Sequence, residues 1–142
     1  MEHSDQVNGM NIKHCVLAFL MAFATVQASV AVESAPAPKE TIVLQRVTVA
    51  GPDREMAMGI AEFPPNAEKP RHMATGPELC YVLEGAVTVK IDGRPQKVVR
   101  AGETFQLPAY VMHVTTAGPA GAKVLATWGR DPAKAFNVPA SN

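Results

Sequence analysis

Four histidines occur in the chain, and only two of them, His72 and His113, lie beyond residue 31. Glu78 follows His72 by six positions, and Cys80 follows Glu78 by two. Two imidazoles and a carboxylate brought onto one face form a donor set that suits Fe(II) and that Mn, Ni or Zn also accept. Cys80 would be a soft ligand as thiolate, although a cysteine in such a place is more often a small buried hydrophobe. A lone histidine on a strand commonly has a packing or hydrogen-bonding role. The chemistry therefore depends on whether the fold brings these residues together.

Side chains alternate between the two faces of a strand, so His72 shares a face with Ala74, and Glu78 with Cys80 and Val82. Arg71, beside His72, is expected to face outward as a solvated charge. Short β-branched runs recur between turn residues and predict strands over residues 41–49, 55–63, 78–84, 86–91, 96–99, 104–107, 112–116 and 123–128. Asp92-Gly93 reads as a type I′ hairpin turn. Trp128 and Phe105 read as core. No stretch shows a helical period, and strands at this spacing point to an all-β sandwich or barrel. Residues 130–142, with Pro132 and Pro139, are expected to form an irregular or short helical extension over the barrel.

At 142 residues the chain fits one domain. Thirteen basic residues balance thirteen acidic ones, which leaves no field to gather nucleic acid. The run Cys15–Val26 is apolar but shorter than the roughly 20 residues a membrane span needs. Behind Lys13 it reads as a secretory signal, with small residues for cleavage near position 28 or 31 and a start at Met1 or Met10. A periplasmic or secreted mature protein is therefore expected, without stable membrane insertion. Residues 32–40 read as a flexible leader, and the mature chain keeps a single cysteine, Cys80, so no internal disulfide can form.

Two stretches resemble the paired motifs of the cupin superfamily. In the first, His72 stands six residues before Glu78, and Glu78 seven before Gly85; in the second, Gly102 precedes Pro108 and then His113 at the family spacing. GIAEFPP, YVLEG and AKVLAT also look like small exported cupins. The resemblance implies a cupin-type jelly-roll β-barrel over residues 41–129 and an inward-facing Glu78. It further implies a divalent metal (Fe, Mn, Ni or Zn) held by His72, Glu78 and His113, a small-molecule ligand or substrate, and a homodimer. Three positions depart from the pattern: Ala74 replaces the second histidine, Tyr110 a turn glycine and Ala117 an asparagine. Ala74 removes a ligand and leaves a coordination position open. Tyr110 is poorly suited to positive φ, so this turn is expected to be rebuilt, with the ring at the pocket mouth or simply packed. Two functions follow from the resemblance: a metal-dependent enzyme of oxygenase or isomerase type, or a non-catalytic binding or sensing protein whose degenerate cavity is metal-free.

Overall fold

The computed structural model describes residues 36–51 and 53–141; the expected signal and the start of the leader lie outside them. Eight antiparallel strands follow in order: β1 (Ile42–Thr48), β2 (Glu55–Phe63), β3 (Glu68–Ala74), β4 (Glu78–Ile91), β5 (Lys97–Arg100), β6 (Thr104–Leu107), β7 (His113–Arg130) and β8 (Asn137–Pro139). Among the described residues there is no helix. The all-β prediction stands.

The frame is the pairing of the two long strands. β4 lies against β7 from Glu78↔Trp128 to Ile91↔His113. Each changes its other partner halfway. On the far side of β4, β6 covers Glu78–Tyr81 and β5 covers Ala86–Val89. On the far side of β7, β2 pairs with Ala122–Arg130, and β3 with the segment from His113 to Thr116. The sheet thus curls into two halves sharing β4 and β7, and the core of Phe63, Val82, Val87, Val89, Val99, Leu107, Val124 and Trp128 fills the space between them. Val82, Val87 and Val99 are fully buried, and each such side chain contributes roughly 1.5–3 kcal/mol.

At the junction of the halves both long strands reverse their inner face. On β4, Glu78, Cys80 and Val82 are buried, then Val87, Val89 and Ile91; on β7, His113, Thr115 and Ala117, then Val124, Ala126 and Trp128. The even and odd positions exchange roles where the register shifts around Gly85 and where Gly118–Gly121 intervene. Gly85 has φ 70 and Gly121 φ 77, and a Cβ on Gly85 would lie 2.1 Å from the Gly121 carbonyl oxygen. Only glycine closes this corner. The sequence, read as strands broken at Gly85 and at Gly118-Pro119, misses that both are continuous bent strands.

Four local expectations are corrected. The Asp92-Gly93 turn is not type I′, because only Gly93 has positive φ; the Ile91 carbonyl accepts from the Arg94 N–H, the pattern of a type II turn. Residues 137–139 form a strand on β3, with His72↔Pro139 and Ala74↔Asn137. Tyr110 keeps the glycine-like conformation at φ 61, held by its N–H donating to the Ala74 carbonyl. The turn is not rebuilt. The ring is largely exposed and is not among the residues lining the histidine cavity. Phe105 is half-buried against the core rather than within it, and Trp128 is buried.

Because left-handed backbone disfavours an L side chain, Tyr110→Gly is expected to stabilise the fold by about 0.5–1 kcal/mol. Gly85→Ala should destabilise it by about 2–4 kcal/mol. Urea denaturation at unchanged m-value checks both.

Candidate functional site

β3 and β7 pair so that His72 stands directly opposite His113. Their ring centroids are 4.3 Å apart, edge to face. Both are buried, as is Glu78, which enters from the other half of the sheet on the face shared with Cys80 and Val82. The three line one cavity of about 190 Å³, walled by Phe105, Leu107, Trp128 and Phe136. The inward face expected for Glu78 is observed, and the fold brings all three candidates to the same space.

Each imidazole is oriented by the backbone carbonyl two residues before it. His72 Nδ1 lies 2.7 Å from the Pro70 carbonyl oxygen, and His113 Nδ1 lies 3.0 Å from that of Val111. A carbonyl only accepts, so each Nδ1 carries the proton and each Nε2 presents a lone pair. Both Nε2 atoms and Glu78 Oε1 are buried without a hydrogen-bond partner. An unsatisfied buried polar atom costs roughly 1–3 kcal/mol, so these atoms define a place where a bound group would relieve that cost. As the side chains stand, no group of three His, Cys, Asp or Glu among the described residues is close enough to hold a metal ion. The histidines are together, whereas Glu78 would have to turn to join them.

Burial dominates the electrostatics. His72 is pushed down to about 4, chiefly by desolvation and then by the charge of Lys69. His113 is lowered mainly by desolvation. Glu78 is raised by desolvation, which Lys69 partly opposes. The Cys80 thiol is raised by burial and then by the Glu78 charge; it stays protonated at neutral pH, which is the bland reading of that residue. Arg71 is exposed and paired with Asp92, the outward orientation expected for it.

Sequence reasoning missed several lining residues: Lys69, Thr115, Arg130, Phe136 and Asn137. Phe136 and Asn137 arrive on the chain's tail, which the Thr75 N–H secures by donating to the Phe136 carbonyl at 2.8 Å. A separate cleft of about 600 Å³ runs between Leu79, Tyr81, Arg94, Lys97 and Gln106. Neither histidine nor Glu78 reaches it.

A bent, antiparallel barrel whose paired histidines line an interior cavity defines a class of small β-barrel proteins. Residues 59–128 match the cupin domain family, and the chain belongs to the cupin superfamily. It is 45% identical over 74 residues to the dimethylsulfoniopropionate lyase DddW of Ruegeria pomeroyi, an alignment covering 52% of this chain and 47% of that protein. The chain thus spans about half the length of this curated relative. Among solved structures it resembles the DMSP lyase DddQ of Ruegeria pomeroyi, with TM-score 0.55 and 21% identity over 59% of this chain and 42% of that one. It also resembles an uncharacterized double-stranded β-helix protein of Klebsiella pneumoniae, with TM-score 0.59 and 14% identity over 76% and 90%. At these identities the two structures show the fold alone.

The pH dependence of stability follows from the buried groups. The unfolded chain protonates its histidines near 6.5, whereas folded His72 resists protonation down to about 4 and His113 is also lowered. The histidine contribution is therefore complete above 6.5 and lost as pH falls toward 4. Glu78, raised above 4.5, contributes in the opposite sense, complete below 4.5 and lost as pH rises. The metal-free protein should weaken as pH falls from 6.5 toward 4.5, by up to about 1.4 kcal/mol per pH unit for each histidine that stays neutral in the fold, offset by Glu78 where it stays protonated. Denaturation midpoints across this range should show a shallower slope in His72→Ala and a steeper one in Glu78→Gln.

Proposed function

We propose that the cavity is a small-molecule site built around a divalent cation, with His72 and His113 supplying their Nε2 atoms and Glu78 turning to supply a carboxylate oxygen. The observation that carries this reading is the cluster of buried, unpartnered polar atoms on His72, His113 and Glu78, which line one cavity with Arg130, whose Nε is likewise unpartnered. Two imidazoles and a carboxylate are a donor set for Fe(II), Mn, Ni or Zn. The bound cation would act as a Lewis acid on a substrate oxygen. Ala74 is fully buried and brings no ligand, which leaves room for that oxygen.

The likeness to a dimethylsulfoniopropionate lyase makes this onium carboxylate the first substrate to test. In its β-elimination a base takes a proton from the carbon beside the carboxylate, the carbon–sulfur bond breaks, and dimethyl sulfide leaves acrylate behind. Trp128 and Phe136, with ring centroids 5.7 Å apart, provide aromatic faces that suit a sulfonium cation. Protein purified without affinity histidines and loaded with Fe(II), Mn(II), Ni(II) or Zn(II) should hold one metal per chain by elemental analysis. His72→Ala and His113→Ala should each lose most of it. Release of dimethyl sulfide, measured by gas chromatography, would support the lyase reading; metal without turnover would leave a metal-dependent cupin with another substrate. The second reading is a non-catalytic ligand-binding or sensing protein with a metal-free site, favoured by the open arrangement of Glu78. No metal uptake, together with thermal stabilisation by a small molecule, would select it.

Export and dimerisation belong to the same proposal. The apolar run before residue 31 would deliver the barrel to the periplasm or beyond. On the outer surface Met58, Thr127, Leu79 and Gln106 align across four strands, followed by Ile60, Leu125, Tyr81 and Thr104. β1, exposed along its whole length, pairs among the described residues only with β2, which leaves an open sheet edge beside this face there. A second copy covering both would give a homodimer. Light scattering should report twice the chain mass, and Leu79→Glu combined with Tyr81→Glu should reduce it to the monomer while metal content stays unchanged.

A further inference from the structure

We infer that Lys69 is the anion-recognising residue of the cavity, so that its ligand carries a carboxylate; this rests on the reading of the cavity as a ligand site.

Simple alternation along β3 would place Lys69, three residues before His72, on the opposite face from it. The register removes that objection. Lys69 pairs with Thr115 and His72 with His113, so three steps on β3 match two on β7, and Pro70-Arg71 form a bulge opposite Val114. A bulge re-aims the side chains flanking it, and proline, which cannot donate to the ladder, is tolerated there. Thr115 and His113 share the buried face of β7. Lys69, opposite Thr115, accordingly looks inward with His72, while Arg71 is turned out to Asp92.

The half-buried Lys69 lines the histidine cavity. Among the described residues it takes part in no ion pair, whereas Lys39, Lys123 and Lys134 each have a carboxylate partner. Its charge bears on His72, Glu78, Cys80 and His113 alike, in keeping with its place in the cavity wall. Arg130, the other cation on the wall, is engaged by the Pro132 carbonyl at 2.8 Å and approaches Glu55 at 3.7 Å. Among the described residues Lys69 is thus the cavity-lining cation without a carboxylate partner, while Arg130 keeps its Nε without a hydrogen bond. A half-buried ammonium without a carboxylate partner on a largely apolar wall is a ready donor to an anion. A carboxylate-bearing ligand would meet it while its other end rests on Trp128 and Phe136.

Propanoate and its neutral isostere propionamide are the probes, titrated calorimetrically into metal-loaded and metal-free protein, with metal content and melting temperature measured in parallel. Wild type should prefer propanoate. Lys69→Met should weaken propanoate binding by roughly 10- to 100-fold, the range of one charge-assisted hydrogen bond, leave propionamide binding unchanged, and keep its metal; Lys69→Arg should restore most of the preference. Equal propanoate affinity in wild type and Lys69→Met overturns the inference. Loss of metal in Lys69→Met also overturns it, by showing that the lysine acts through Glu78. A wild type that holds no metal but still prefers propanoate through Lys69 sinks the metal reading and upholds this one.

Discussion

The corner where β4 and β7 bend together governs everything inside the barrel. A strand carries its side chains in strict alternation, so a straight β4 could not direct both Glu78 and Val87 inward. Gly85 and Gly121 approach so closely that no Cβ fits between them, and the register shifts by the residue needed to exchange faces. Glu78 from one half and His113 from the other thereby reach the same interior. The site is a product of backbone geometry before it is a product of side-chain chemistry.

The histidines are ordered by the backbone just before them. Each donates its Nδ1 proton to the carbonyl two residues before it in the chain, which fixes the tautomer without recruiting another side chain. Their rings are already paired across β3 and β7, and desolvation keeps them neutral where an ordinary imidazole would begin to protonate. Glu78 meets the same low-dielectric environment with the opposite result. Neutral donors and a carboxylate reluctant to ionise form a cavity that a cation would change electrostatically at once.

Much of this was legible in residue types and spacing. The alternation of Glu78, Cys80 and Val82 and the family spacing of His72, Glu78 and His113 single out three residues that line one cavity. The strands over residues 55–63 and 104–107 coincide with the observed ones. What escaped were features set by long-range pairing. The continuity of β4 and β7 is hidden because a glycine that bends a strand resembles one that ends it. Lys69 is hidden because a bulge breaks the parity rule, although a proline inside a strand is the signal that could have exposed it. β8 is three residues long and exists because β3 offers it an edge. Tyr110 shows the reverse: the glycine conformation persists without glycine, since the surrounding turn and the Ala74 carbonyl hold it there.

The tail has a consequence for how molecules come and go. Phe136 and Asn137 form part of the cavity wall, yet they are attached by β8 and by few backbone hydrogen bonds, including those at Thr75 and Arg71. Short, weakly paired segments of this kind open at a small fraction of the free energy that unfolds a core. Release of residues 136–139 from β3 would remove Phe136 and Asn137 from the cavity wall while leaving β4, β7 and their shared corner intact. The interior can therefore widen on one side without any loss of the bend that shapes it.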